Sequence, residues 1–528
     1  MKEQTVQTYD VVVVGGGAAG LAGALSLVRA RRSVLVVDAG EPRNAPAGHM
    51  HNYLGREGTP PADLLTDGRA EVTRYGGEFR DGRVAAVTRK TDGFLVTLDR
   101  GEPVRARRLL VTTGLVDELP DLPGLADRWG RDVLHCPYCH GWESRDRRVG
   151  VLATGPLALH QVHLWRQWSP HVQLLLHDTA APDVTEAERL AARGITVVDG
   201  RVTGLEVAGD TLRGVRLASG EVVELDALVV TSRVTARAGF LAGLGLTPVD
   251  VEFGGHVVGS QIPADANGAT AVPGVWAAGN VADVRAQVIV AAAAGTTAGA
   301  AINADLVEED TRHAVDAYRQ QVEAMFEQPG WEERYRAKPT IWSGNPNPQL
   351  VTEAHDLTPG RALDVGCGEG ADAVWLARRG WRVDAVDIST VALERAAKHA
   401  TDAGLADRIT FSHADLRKEP PAPGRYDLVS AQFMHLPGAA RQELFARLAE
   451  AVAPGGTLLI VGHHPGDLRT SAHRMHFPDM MYTAEEVAAP LDPADWEVTA
   501  ETRARTVTDP ECRQVTIHDA VLVARRRP

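Results

Sequence analysis

The chain opens on short apolar runs separated by glycine-rich turns. Residues 11–14 (VVVV) and 33–37 (SVLVV) bracket an Ala/Leu-rich stretch, which predicts strand, turn, helix, strand, with the strands buried in a parallel sheet. The order recurs from Arg361: a strand at 362–365 (ALDV), a turn at 366–370 (GCGEG), a helix at 371–379 and a strand at 382–386. Apolar runs at 426–429 (YDLV) and 457–461 (TLLIV) extend that series, and a further strand pair is expected at 149–152 and 173–176. Such series predict doubly wound α/β sheets. Residues 286–302 are nearly apolar, but Ala-rich and interrupted by Gly295, Thr296, Thr297 and Gly299. They read as a buried helix rather than a membrane span. Helical spacing at 314–326 meets Gln328-Pro329-Gly330, which is expected to break it.

The turns carry the first chemistry. Gly15-Gly16-Gly17-Ala18-Ala19-Gly20 lies between a strand and a helix, and the next strand ends in Asp38. In such a turn Gly15 makes the tight bend, Gly17 lets backbone approach a pyrophosphate, and Gly20 permits close helix–strand packing. The helix N-terminus faces the phosphates, and Asp38 can accept hydrogen bonds from a ribose. The second series repeats the plan, its strand ending in Asp387. Two nucleotide folds are expected, without sign of a duplicated gene.

Bulk properties narrow the setting. A length of 528 residues exceeds one ordinary core, and 44% apolar content is globular. A net charge of -14 argues against nucleic acid and for small substrates. The N-terminal segment lacks the basic start and apolar core of a signal peptide, so a cytoplasmic location is expected, with no membrane partner. Four cysteines make no disulfide scaffold, and the close pair Cys136–Cys139 points to redox or metal chemistry. A CxxC at a helix start lowers one thiol's pKa, and exchange then runs through a mixed disulfide. Structural zinc, drawing on the flanking His135 and His140, is the competing reading, although it normally needs four ligands and no second CxxC exists.

Residues from about 8 to 306 resemble the low-molecular-weight thioredoxin reductase family. In order, the matching pieces are YDVVVVGGGAAG, VVDAGEPRN, LLVTTG before DELPDLPG, CPYCHGWE, and GVWAAGNV. The resemblance implies an FAD whose diphosphate and ribose are held by Gly15, Gly17, Gly20 and Asp38, with Thr113 and Gly114 close by. Asn280 stands where an aspartate usually contacts the ribityl chain, and an amide can still bond a hydroxyl. Gln287 would sit near the flavin ring. Cys139 becomes the electron-transfer thiol and Cys136 the interchange thiol; a homodimer follows by the same analogy.

Three departures alter the direction of the chemistry. His140 follows the motif where an aspartate is usual, and His135 precedes it; an imidazole there either accepts a thiol proton or simply caps and packs. The second nucleotide turn, residues 153–158 (ATGPLA), loses its first glycine, and Pro156 removes a backbone donor. His177-Asp178 replaces the basic cluster that receives an NADPH 2′-phosphate, so reduction by NADPH is expected to be impaired; tolerated drift with NADH still used is the competing reading. The pattern is similar to the gliotoxin- and holomycin-type dithiol oxidases. It implies that a small-molecule dithiol reduces Cys136–Cys139, Cys139 reduces FAD, and O2 reoxidises the flavin to give hydrogen peroxide. Those enzymes pair the preceding histidine with an acid from the C-terminal FAD segment, for which Asp283 is the nearest choice. A reductase fed by NAD(P)H and acting on a disulfide remains the alternative, and a flavin redox sensor controlling the other half is a third.

Residues from about 331 to 525 resemble class I S-adenosylmethionine (SAM) methyltransferases, near the tellurite and thiopurine group, through WEERYRAKPTIWSGNPNPQL, ALDVGCGEG, AVDIS, ADL, YDLV and APGG. The resemblance implies that Gly366, Gly368 and Gly370 pass under the methionine part of SAM, with Asp364 near its amino group. Asp387 would take the ribose and Asp415 the adenine amine. A nicotinamide site is the competing reading of the turn. Tyr335, Trp342, His435, His463 and His464 are candidates for an acceptor pocket, each equally readable as a packed or surface residue; a small-molecule thiol is the favoured acceptor. Cys367 is expected to fill a slot in the turn, and Cys512 has no partner in sequence. The expected fold class is thus an FAD/NAD(P)-type two-dinucleotide-fold flavoprotein fused to a Rossmann-like methyltransferase. The boundary is placed near 315: a flavoprotein at 1–315 with an inserted, degenerate nicotinamide-type part at about 118–240, a linker and methyltransferase entry segment at 316–345, and a methyltransferase at 346–528.

Overall fold

The computed structural model describes residues 6–155, 157–434, 436–469, 478–508 and 513–528. They form two compact units, Met1–Asp310 and Thr311–Pro528. Among the described residues, the first unit is built on a seven-stranded sheet centred on Thr8–Val14, which runs parallel to Val34–Asp38 on one side and Val104–Val111 on the other. One apolar run thereby serves two cores. Val11 and Val13 pack with the helix Ala18–Arg29 and with Ala298 and Ile302, while Val12 and Val14 pack with Val96, Leu109 and Leu246. With both faces covered, polar alternation has no place in the strand.

Residues 288–302 of the apolar stretch open a 38-residue helix, Val288–Met325, which by length and composition alone could cross a membrane. Its small residues instead seat it on Ala18–Arg29. A Cβ on Gly295 would lie 1.9 Å from the Ala19 carbonyl oxygen, and one on Gly299 2.7 Å from that of Gly23. Ala291, Ala298, Ile302 and Leu306 are buried along this face.

Within the first unit, Leu115–Glu118 and Arg233–Ala236 pair antiparallel, with Asp117 opposite Val234. The chain between them makes a five-stranded parallel sheet in which Val149–Leu152 lies between Val172–Leu175 and Ala227–Val230. This is the inserted second nucleotide fold, stitched at its neck by the strand pair.

The second unit is a seven-stranded sheet ordered Ile409–His413, Arg382–Asp387, Arg361–Val365, Tyr426–Gln432, Val452–His463, Gln514–Arg526, Trp496–Thr508. The first five strands are parallel and the last two antiparallel. The chain leaves Arg361–Val365 on one side and returns on the other at Tyr426–Gln432. The crevice beyond that reversal is where open α/β sheets bind ligands.

The region expected to be linker and methyltransferase entry segment is largely helical. Gln328-Pro329-Gly330 does more than interrupt: helix ends at Met325, and the triplet begins a new helix, Gln328–Ala337. Pro329 sits in its first turn, where a missing N–H is harmless. Glu332 anchors this helix, accepting both the N–H and the hydroxyl of Thr390 at 2.7 and 2.8 Å.

Candidate active sites

In the first unit a cavity of about 1050 Å³ is lined at once by the glycine turn and by the cysteine pair. Gly15, Gly17, Asp38, Thr113, Gly114, Asn280 and Gln287 all face it. Gly15 holds φ at +108°, and a Cβ there would meet the Thr112 carbonyl oxygen at 2.5 Å. At Gly17 the Cβ position has no atom within 4 Å, which leaves the space a phosphate needs. Gly20 does not line the cavity; a Cβ on it would fall 1.9 Å from the Gly15 carbonyl oxygen, so its part is close packing. One Asp38 oxygen accepts the Gly16 N–H at 3.1 Å and the other lies 3.2 Å from Arg69. Asn280 donates to the Ala286 carbonyl at 2.8 Å. These residues fit a dinucleotide.

Cys136 is the N-cap of the short helix Pro137–His140, and both thiols are free. A hydrogen bond from Cys139 pulls the Cys136 thiol down to about 7. Burial opposes this, while the backbone N–H groups of Cys139 and Tyr138 and the charge of Arg43 assist. The same S–H···S hydrogen bond, with burial, drives the Cys139 thiol upward. Cys136 is therefore the thiolate of the pair near neutral pH. Burial, with Arg43 beside it, holds His135 below its ordinary value against the pull of Asp117; burial does the same to His140 against Glu143. Both imidazoles line the cavity and are neutral at pH 7.

The acid beside His135 is not Asp283. Asp283 stays off the cavity wall and accepts the N–H of Arg285 at 2.9 Å. Asp117, on the neck strand, faces the cavity and acts on His135 instead. It is clamped by Arg43 through two bonds of 2.6 and 2.7 Å, and Ser232 donates to it at 3.1 Å. On the other flank, His51 lies 2.6 Å from Glu57 and 3.5 Å from Glu143, and Asn52 donates to the Tyr138 carbonyl at 2.5 Å. A loop of the flavin-type part thus grips the cysteine helix. Among the described residues, no cluster of three or more His, Cys, Asp or Glu side chains is spaced for a metal.

At the second nucleotide turn, Pro156 lies outside the described residues. His177 adopts φ of +55° and accepts the Val202 N–H at 3.1 Å. Asp178 lies 3.2 Å from His177 and 3.5 Å from Arg201, a cation that sequence spacing did not bring to this place.

The second unit holds a cavity of about 820 Å³ at the switch point. Gly366, Gly368, Asp387 and Asp415 line it, whereas Asp364 and Gly370 do not. Asp364 is only 2% exposed and its Oδ2 finds no hydrogen-bond partner among the described residues. Burial, then Asp372 and Asp387, raise it well above the carboxylate range. Asp372, missed in the sequence, does face the cavity, and burial pushes it up to about 6. Asp387 accepts the N–H groups of Gly368 and Ser389, both at 2.8 Å. Asp415 is held by Arg417 at 2.8 Å and lowered to about 2.

Gly368 takes φ of +51°, and a Cβ there would meet the Tyr335 hydroxyl at 3.0 Å and the Trp342 indole nitrogen at 3.1 Å. Trp342 donates to Tyr335 at 3.0 Å, and Glu369 accepts the backbone N–H of Ile341 and Trp342. The entry segment therefore closes over the glycine turn. His463 lines the cavity, stacked on Phe433 at 4.6 Å, while His464 faces elsewhere and accepts the Gly466 N–H. His435 and Cys512 lie outside the described residues. Trp331, Phe433, Met480 and Met481 complete an aromatic and thioether wall that the motifs do not mark. Cys367 is buried in the turn with its thiol pushed well up, an inert setting.

Residues 9–295 match the pyridine nucleotide-disulphide oxidoreductase family model, and residues 362–456 match a methyltransferase domain model. The chain belongs to the pyridine nucleotide-disulphide oxidoreductase family and carries a methyltransferase domain behind the oxidoreductase unit. Thioredoxin reductase tcpT of Claviceps purpurea is 34% identical over 255 residues, covering 46% of this chain and 79% of that protein. Thioredoxin reductase sirT of Leptosphaeria maculans is 31% identical over 313 residues, covering 56% and 93%. The crystal structure of HlmI is 44% identical with a TM-score of 0.56, covering 61% of this chain and 99% of that one. The protein is thus a thioredoxin reductase-like oxidoreductase fused to a methyltransferase; the first family implies a flavin and the second SAM.

Proposed function

We propose that the first unit oxidises small-molecule dithiols to disulfides and that the second methylates a small molecule, with a thiol the favoured acceptor. What supports the first reading above all is one cavity lined by a dinucleotide cradle, by Cys136 and Cys139, and by two neutral imidazoles. His135 or His140 takes the proton of a substrate thiol. The thiolate attacks the Cys136 sulfur of the oxidised pair, the Cys136–Cys139 bond breaks, and Cys139 leaves with the electron pair. The second substrate thiolate then attacks its partner's sulfur in the mixed disulfide and expels Cys136. Two electrons and two protons have left the substrate. Gly15, Gly17 and Asp38 would hold FAD, which would supply the acceptor for that electron pair, with O2 as the terminal oxidant and hydrogen peroxide as its product. NADPH is not the working donor in this reading, because His177 and Asp178 stand in place of a basic cluster and the Arg201 cation nearby is engaged with Asp178. The family match itself favours the second reading, a disulfide reductase driven by NAD(P)H.

In the second unit Gly366 and Gly368 would lie under SAM, Asp387 would take its ribose and Asp415 its adenine. SAM supplies an already activated methyl group, so alignment against a dry aromatic wall suffices for a thiolate acceptor. The test of the first reading is oxygen uptake with dithiothreitol. One O2 should disappear and one peroxide appear per dithiol, and Cys139→Ser should slow this by about 100-fold or more. Peroxide release undiminished in that variant would remove the dithiol mechanism.

A further inference from the structure

Arg43 and Asp117 stand 74 positions apart and meet on the wall of the cysteine cavity. The guanidinium fork is matched to the carboxylate, Nε to Oδ2 at 2.7 Å and Nη2 to Oδ1 at 2.6 Å, and the Ser232 hydroxyl adds a third bond to Oδ1 at 3.1 Å. The Asp117 side chain is 9% exposed and that of Arg43 30%. Backbone pairing of Asp117 with Val234 fixes where the carboxylate stands, and the fork then fixes the guanidinium. A partly buried ion pair is weak evidence for stability, since apolar side chains of like volume would pack as well. Its charge is therefore better sought in what it faces.

The groups around the Cys136 sulfur come from several elements. Cys139 and His140 share its helix, His135 precedes it, Asp117 lies on the neck strand, and Arg43 follows the strand Val34–Asp38. Beyond His140 stand His51 and Glu143. Arg43 is a permanent cation, and its charge acts on Cys136, on Cys139 and on His135. We infer that Arg43, clamped by Asp117, is a positioning residue of the dithiol site: its fixed positive charge stabilises anionic sulfur at Cys136 and keeps His135 free to accept a proton. The inference rests on the assignment of Cys136 and Cys139 as the redox pair. Asp117 tempers the cation, opposing charge on the sulfur and favouring it on the imidazole. The step served is expulsion of Cys136 from the mixed disulfide. There the bond between Cys136 and the substrate sulfur breaks, Cys136 departs with the electron pair, and a stabilised thiolate is the faster leaving group.

The test is the pH dependence of Cys136 alkylation by iodoacetamide in the full chain loaded with FAD and held reduced. The native inflection is expected near pH 7. Arg43→Leu should raise it by about one unit, a tenfold loss of rate below the inflection, and Arg43→Lys should largely restore it. Asp117→Asn removes the opposing charge and should move the inflection the other way. Lost flavin or lower Tm in these variants with an unmoved inflection, or shifts of one sign, would overturn the inference. Should Arg43→Leu not fold, Arg43→Lys should keep the native inflection and Asp117→Asn should lower it; an unmoved inflection in Asp117→Asn would then overturn the inference. Dithiothreitol oxidation by the native chain is followed in parallel. Opposed shifts without turnover would defeat the oxidase reading alone; turnover with unmoved inflections would defeat the role of Arg43 alone.

Discussion

Cys136 and Cys139 share one S–H···S bond, and it acts on them in opposite senses. The acceptor, Cys136, becomes acidic and the donor, Cys139, is held as a thiol. A limiting amount of iodoacetamide at pH 7 should therefore label Cys136 first, a result read directly by peptide mass spectrometry. His135→Gln should leave flavin content intact and lower dithiol turnover by about 100-fold, the usual worth of a positioned base. In the other unit, Asp372 titrates near 6 beside the site proposed for a cationic ligand. Its folded pKa is raised, so its negative charge is present only above that pH. SAM affinity, measured by calorimetry, should then weaken by up to about tenfold per pH unit below 6, and Asp372→Asn should flatten the slope. The cradle glycines and the cysteines were legible because their chemistry lies in local spacing. Arg43 and Asp117 sit inside the family-like segments GEPRN and DELP without any local feature to mark them. Their meaning comes only from pairing 74 positions apart, which spacing does not encode; the resemblance pointed instead to an acid in the C-terminal FAD segment, Asp283.

At the scale of elements, close approach of backbones decides what can change. A Cβ on Gly295 would overlap the Ala19 carbonyl, and neither helix backbone can yield cheaply. Gly295→Ala should lower stability by about 1–3 kcal/mol and loosen FAD, seen together as a lower Tm and free flavin after gel filtration. The parallel strands were readable as unbroken apolar runs, since burial on both faces imposes that composition. In the entry segment Tyr335 and Trp342 were legible as pocket residues through the resemblance, and both turn onto the SAM-type turn. Trp331 and the anchor Glu332 were not, because their roles come from packing and from Thr390, 58 positions away.

For the whole molecule, the two cavities have separate linings, so their chemistries should be separable by mutation. Cys139→Ser should leave SAM affinity unchanged, and Asp387→Ala should remove SAM binding while dithiol oxidation persists. A methylation rate that followed the redox state of the cysteines would argue instead for the sensor. The direction of electron flow is read from which donor bleaches the flavin. The flavin-loaded chain is mixed without oxygen in a stopped-flow cell, once with dithiothreitol and once with NADPH, and flavin absorbance is followed. Rapid bleaching by the dithiol, lost in Cys139→Ser, with slow or no bleaching by NADPH, is the expected result. Rapid bleaching by NADPH alone would contradict the account.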